Sequence, residues 1–246
     1  MTQFPHNKTS TYVTALSKRI ELTEDYEVAL VEASFPFTYV HFPQASDSVT
    51  LVFSSGTHKT WIVPSRYYTS ADDLLYYINM TALTPGFRLK VDPQGYCWVI
   101  TEDELLKVPA GKGGVLGTLI NVVLTPQLAG MLGYATGHIF KYERGAHPIN
   151  LFVGLPEQMY YYCDLVEEQV VGDKVAPLLR SVNSHAGECT YGSTCSVAFN
   201  RPFYVPLVKR HFETIEILIK DALGRNVAFT HGTSTCVLHF RRRQFV

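Results

Sequence analysis

The sequence predicts a mainly β protein, a single jelly-roll β-sandwich with a small α+β insertion. Three observations carry that reading. Short apolar and β-branched stretches recur along most of the chain, many alternating polar with apolar and bounded by Gly, Pro, Asn or Asp; this is how half-buried strands read. Helical periodicity is confined to the middle of the chain, within 65–145. The length, 246 residues, lies within the range of one all-β domain, so a single domain with an insertion is preferred to two small ones.

The elements follow in order. Residues 1–10 are polar and lack periodicity, and read as a mobile N-terminal arm. Residues 11–16 alternate, 20–22 continue the strand, and Thr23-Glu24-Asp25 turns. Residues 26–35 are dense in Val, Ala and Leu, which suits a central strand, and Pro36 ends it. Residues 48–53 and 58–63 flank Ser54-Ser55-Gly56-Thr57, a hairpin with a glycine-containing loop. The pattern then changes: 69–79 carries a Ser or Thr cap, acids in the first turn, and apolar Leu74, Leu75 and Ile78, which is a helix. Residues 87–91 and 96–100 flank Asp92-Pro93-Gln94-Gly95, a second hairpin. Residues 107–117 are glycine-rich and read as a loop, and 125–133, with Pro126 in the first turn and Gly133 at the end, as a short helix.

Strands resume at 158–166, turn at 170–174 and run back over 176–182. Residues 184–196 are small and polar, hence an exposed loop, and 203–206 lead into the C-terminal end. There, 212–219, 226–230 and 234–241 read as three consecutive antiparallel strands, a meander whose apolar face needs cover from the rest of the chain. The expected organisation is an arm at 1–10, a sandwich built from 11–64 and 146–246, and an α+β insertion at 65–145. The total is about eight to ten strands and two helices, a count that fits two packed sheets.

Charged residues make up only 17% of the chain and aromatic residues 13%, with 15 Tyr and 14 Phe. A soluble domain averages roughly 25% charge, so much of this exterior is expected to be covered in an assembly, where tyrosine is favoured. The net charge of -1 argues against a nucleic-acid binder, and the one basic cluster, Arg241-Arg242-Arg243, reads as a solvated strand end. Five Cys (97, 163, 189, 195 and 236) without CxxC pairs predict reduced thiols in an intracellular setting, with a 189–195 disulfide as the minor alternative. The polar start of the sequence and the lack of a long apolar run lead to the expectation of no signal peptide and no transmembrane segment, and the sequons at Asn7 and Asn79 are expected to be silent.

Motifs for chemistry are wanting. In Ala110-Gly111-Lys112-Gly113-Gly114-Val115-Leu116-Gly117, Lys112 is followed by Gly where a phosphate loop needs Ser or Thr, and Leu116 stands where the dinucleotide fingerprint needs Gly. His231 and His239, and His185 with Cys189 and Cys195, lack zinc-ligand spacing. No nucleophile elbow occurs, and the pairs Glu167-Glu168 and Asp72-Asp73 are adjacent, so on a strand their side chains point apart. No catalytic residue, cofactor or metal ligand is assigned.

The run Tyr161-Tyr162-Cys163-Asp164-Leu165-Val166, continued through Val170-Val171-Gly172-Asp173-Lys174 to Ala176-Pro177-Leu178-Leu179-Arg180, resembles a block in the minor capsid, or penton, proteins of Polinton (Maverick) elements and related adintoviruses and virophages. Further matching stretches are Tyr26-Glu27-Val28-Ala29-Leu30 with Ser34-Phe35-Pro36, and Trp61-Ile62-Val63-Pro64 followed by Tyr67, Leu74 and Ile78-Asn79. Leu128-Ala129-Gly130-Met131-Leu132-Gly133, Phe203-Tyr204-Val205-Pro206 and Leu238-His239-Phe240-Arg241-Arg242 complete the set. The 184–196 loop, rich in Cys and Gly, departs from the family, and no role is carried onto it.

The resemblance implies a structural protein of an icosahedral virion, forming homopentamers at the five-fold vertices beside a double jelly-roll major capsid protein, and assembled in the host cytoplasm or nucleus. It implies no small-molecule substrate. A ring needs head-to-tail contacts between unlike surfaces. Tyr160, Tyr161 and Tyr162 place aromatics on both faces of one strand, with Tyr161 expected to point outward towards a subunit boundary. The alternative reading is a jelly-roll binding module that recognises a glycan or receptor; an enzyme is the third.

Overall fold

The structure, a computed structural model, describes residues 10–43, 46–82, 87–101, 109–110, 114–115, 119–140, 142–185 and 189–243. In chain order the elements are β1 (Thr11–Glu21), β2 (Tyr26–Pro36), β3 (Ser48–Phe53), β4 (His58–Ile62), α1 (Ala71–Ala82), β5 (Phe87–Val91) and β6 (Tyr96–Thr101). Next come β7 (Pro109–Ala110), β8 (Gly114–Val115), β9 (Leu119–Leu124), α2 (Pro126–Met131), β10 (His138–Phe140) and β11 (Arg144–Pro148). The chain finishes with β12 (Gln158–Cys163), β13 (Gln169–Val171), β14 (Lys174–Ala176), β15 (Leu178–Asn183), β16 (Thr194–Ala198), β17 (Val205–Pro206), β18 (His211–Lys220) and β19 (Thr235–Arg242). Among the described residues no helix is long and apolar enough to cross a membrane.

Two compact units form: Met1–Tyr39 with Pro156–Val246, and Val40–Leu155. The second therefore begins earlier and ends later than the insertion expected at 65–145. The β3–β4 hairpin, placed in the sandwich by the sequence reading, belongs to it because β3 pairs with β9.

The first unit is a jelly roll. One sheet has the order β1-β18-β12-β15; in the other, β2 is central, with β16 and β17 on one edge and β19 on the opposite edge. The chain crosses repeatedly from sheet to sheet, and the inner faces meet. The rings of Phe212 on β18 and Phe240 on β19 stack 6.0 Å apart, and the Tyr12 hydroxyl lies 3.3 Å from Cys236 Sγ. Leu30, Phe35, Met159, Tyr161 and Ile219 are fully buried between these layers, the strongest term holding them together.

Three expectations are corrected here. The C-terminal meander does not form: β18 lies between β1 and β12, whereas β19 pairs with β2 in the other sheet. The intervening segment is a crossover that bonds β18 only at its start, through Asn226 opposite Lys220 and the Val227 amide on the Ile219 carbonyl. Ser10, assigned to the arm, is buried and its carbonyl accepts the Ile219 amide; residues 1–9 lie outside the described residues. The 184–196 loop is shorter than expected, since Ser184 is fully buried and β16 starts at Thr194.

In the second unit the sheets β10-β9-β3-β4 and β11-β6-β5 share one apolar core with the two helices. On α1 the Ser70 hydroxyl accepts the Asp73 amide, and Asp73 accepts from Thr69, closing a reciprocal cap; Leu74, Leu75, Ile78 and Ala82 form its buried stripe. Thr125 precedes Pro126 of α2 as expected, but its hydroxyl donates to Asp47 rather than capping the helix. The glycine-rich stretch 107–117 lies largely outside the described residues; only the short β7–β8 pairing within it is described.

Two buried details fix this unit. His41, 1% exposed, accepts the Tyr68 amide on Nδ1 and places Nε2 2.8 Å from the Leu151 carbonyl. That pairing leaves the proton on Nε2. Burial lowers its pKa from 6.5, against the opposing pull of the neighbouring carbonyls. Gly133 has φ +83°, and a Cβ there would lie 1.9 Å from the His147 carbonyl oxygen.

Gly133→Ala is expected to destabilise the protein by about 2–5 kcal/mol, combining a left-handed backbone with a clash that only main-chain movement relieves. Gly56→Ala, also at positive φ but with nothing within 4 Å, is expected to cost about 1–2 kcal/mol; urea unfolding of both compares them. Because the folded His41 binds a proton less readily than the unfolded one, stability is complete above pH 6.5 and falls as pH drops below it. His41→Gln is expected to flatten that slope in unfolding measured across mildly acidic pH.

Candidate subunit interface

β12 lies inside its sheet, paired with β18 on one side and β15 on the other. Its burial alternates. Met159, Tyr161 and Cys163 face the core, while Tyr160 and Tyr162 are half-buried on the outer face. The expectation that Tyr161 points outward is thereby overturned: with a period of two, the inward Met159 and Cys163 fix the phase. Tyr161 is fully buried and its hydroxyl has no hydrogen-bond partner among the described residues. Burial first, and then the nearby Cys236 and Tyr39, raise its pKa well above 10.0.

The outer pair stands over a groove. Tyr162 is opposite Leu218 on β18 and Leu178 on β15, and Tyr160 is opposite Lys220 and Ser181. Tyr160, Tyr162, Leu218 and Lys220 line a groove of about 500 Å³ together with residues of the β13–β14 hairpin and the 221–224 turn. The Lys220 ammonium lies 5.9 Å from the centre of the Tyr162 ring, within range of a weak cation–π attraction. Exposed apolar residues stand on the same hairpin and turn: Val170 is 79% exposed, Val175 60% and Leu223 75%.

Both flanking elements are held in place. The Asp221 carboxylate accepts the amides of Leu223 and Arg225 and pairs with the Arg225 guanidinium. Gln169 of the hairpin donates to the Leu178 carbonyl. Leu223 is an apolar side chain on an ordered turn, where polar residues are usual, and exposed apolar residues gathered about a groove, as Val170, Val175 and Leu223 are, are a feature of surfaces that partners cover. The sequence reading selected the tyrosines and missed Val170, Val175 and Leu223. The available signal was Val170-Val171 beside the Gly172-Asp173 turn, and Leu223 inside Asp221-Ala222-Leu223-Gly224.

The remaining candidates fall out differently. Arg241 pairs with Glu27 and stacks 3.5 Å over Tyr204, and Arg242 pairs with Glu24; two of the three terminal arginines are thus balanced by acids of their own unit. Cys189 and Cys195 are joined in a disulfide, with Cα atoms 5.8 Å apart, which overturns the expectation of reduced thiols at these two positions. Cys97, Cys163 and Cys236 are free, and burial raises their thiol pKa values, to about 12, 12 and 11. Among the described residues no three His, Cys, Asp or Glu side chains converge as a metal-ligand set.

The first unit is therefore a single jelly roll, and the second is an α+β unit inserted within its sequence. Among solved structures the chain is similar to the mavirus penton protein, with a TM-score of 0.51 and 10% identity over 96% of this chain and 92% of that one. It also matches a chain of the Sputnik virophage structure, at a TM-score of 0.43 and 11% identity over 94% of this chain and 92% of that one. No protein-family model matches the chain, and no curated protein is detectably similar to it in sequence. The fold is that of the mavirus penton protein.

Tyr161 tests the observed phase of β12. Tyr161→Phe deletes a hydroxyl that is buried without a partner, so stability is expected to hold or to rise by up to about 1 kcal/mol. Tyr161→Ala is expected to cost about 3–5 kcal/mol through the cavity it leaves. Urea midpoints measure both, and a Tyr161→Phe loss as large as that of the Ala variant would contradict the burial described.

Proposed function

We propose that this protein is a structural component of a virion, a penton subunit that forms homopentamers at the five-fold vertices of an icosahedral capsid beside a double jelly-roll major capsid protein. The observation that carries the reading is the groove floored by Tyr160 and Tyr162 and accompanied by exposed Val170, Val175 and Leu223, on a jelly roll with the fold of a penton protein. A closed ring requires each copy to present two unlike surfaces. The groove and its rim supply one of them, with aromatic and aliphatic side chains at Tyr160, Tyr162, Val175 and Leu218 and charged Asp173, Lys174, Lys220 and Asp221 around them, the mixture of apolar and polar groups that interfaces carry. Tyr161 takes no part, being committed to the core. The role is one of shape and adhesion, and no residue is assigned to catalysis.

Native mass spectrometry of the purified chain tests this reading directly. The expected species is five copies of the 27.7 kDa subunit; a strict monomer at micromolar concentration would overturn it. Tyr160→Asp/Tyr162→Asp places two carboxylates on the groove floor and is expected to weaken association by about thirtyfold or more, the size of a hot-spot loss. The subunit's circular dichroism should stay unchanged, because both side chains lie on the outer face.

A further inference from the structure

A second surface, in the unit Val40–Leu155, has a chemistry unlike that of the groove. On the β11-β6-β5 sheet, Phe87, Leu89, Cys97 and Val99 face the apolar core. The alternate residues therefore share the opposite face: Arg88 and Lys90 of β5, which are exposed, and Tyr96 and Trp98 of β6, which are half-buried. The register puts Lys90 directly across from Trp98 on one side and Arg144 of β11 across from it on the other. Trp98 thus has a basic residue opposite it on each neighbouring strand. Arg88 lies two pairs further along, on the same face, opposite Ile100.

The platform is fixed from within. The Asp92 carboxylate accepts the Trp98 indole N–H at 3.0 Å, Nε and Nη2 of Arg144 at 2.9 and 2.8 Å, and the amides of Gln94 and Tyr96. The Arg144 guanidinium lies 3.7 Å over the Tyr96 ring and 5.9 Å from that of Trp98. These bonds hold the aromatic rings and the guanidinium in one arrangement before any ligand arrives, which lowers the entropy cost of binding. Asp92 neutralises Arg144, whereas Arg88 and Lys90 have no carboxylate partner among the described residues. The face carries a surplus of positive charge on a chain whose net charge is -1.

We propose that this face binds an acidic glycan, a chain of sugar rings bearing sulfate or carboxylate groups. A sugar ring presents apolar C–H groups that pack on the Trp98 ring beside the Arg144–Tyr96 stack, and its anionic substituents pair with Arg88 and Lys90. A nucleic acid fits less well. A duplex is bound through many phosphates by a long row of cations, and here a carboxylate occupies the centre of a short patch. The proposal concerns one surface of the inserted unit and does not depend on the oligomeric state, so it stands or falls separately from the penton reading.

The test uses the full chain, with heparin and hyaluronate as immobilised probes and neutral dextran as the control, in low and physiological salt. Binding to heparin or hyaluronate but not to dextran is expected, weakening as salt rises; binding to heparin alone identifies sulfate as the required group, and binding to hyaluronate as well shows that carboxylate suffices. Arg88→Gln/Lys90→Gln, at two exposed strand positions, is expected to lower affinity about tenfold or more and to make the salt dependence shallower. Lys18→Gln/Arg19→Gln, removing two cations from the other unit, is expected to change it little. Absence of binding to both acidic glycans would overturn the proposal. So would equal loss in the two double variants, or binding of DNA as tight as that of heparin.

Discussion

Phe212 stacked on Phe240, and Tyr12 reaching Cys236, are the contacts that turn two four-stranded layers into one body. The rest of the first unit follows from them. Once the inner faces of β12 and β18 are committed to this core, every second residue of those strands must face out. That places Tyr160, Tyr162, Leu218 and Lys220 side by side on the outer surface. The hairpin β13–β14 and the 221–224 turn leave from the ends of the same two strands, so they flank that surface without any further interaction being needed to bring them there.

Most of the local structure was legible from the sequence because it is decided by near neighbours. The hairpins β3–β4 and β5–β6 each carry a positive-φ glycine in the turn, Gly56 and Gly95, and the caps and apolar stripe of α1 lie within one stretch of chain. What escaped was decided at long range. The segment 226–230 has the composition of a strand, but the edge of β18 on which it starts is already taken by Ser10 and β1, so no ladder is available. The phase of β12 escaped for a similar reason. In Tyr160-Tyr161-Tyr162 all residues are chemically alike, and only Met159 and Cys163, set against the opposite sheet, decide which tyrosine goes inside. The Cys189–Cys195 link lies at the start of β16 and depends on the pairing of that strand with β2.

The two surfaces contrast in how they are prepared. The groove of the jelly roll gathers aromatic and aliphatic side chains whose surrounding charges, Asp173, Lys174, Lys220 and Asp221, come from several separate elements. The sheet face of the inserted unit instead ties its rings and charges together through one carboxylate, Asp92, whose burial raises its pKa but whose bonds from Tyr96, Trp98 and Arg144 outweigh that and bring it to about 2. Its hub thus stays ionised across the physiological range, and its geometry is independent of ordinary changes in acidity.

The order in which the strands appear has a bearing on how the molecule is made. β1 must wait for β18, and β2 for β19, partners that lie some two hundred residues downstream; the Tyr12–Cys236 contact spans 224 positions. A chain emerging from the ribosome can complete the contiguous unit Val40–Leu155 early, while the jelly roll stays open until its final strand is released. The tyrosine groove needs Leu218, Lys220 and the turn after them, so a polypeptide that stops short of them lacks it. Late closure of the fold ties the completion of this surface to the completion of nearly the whole chain.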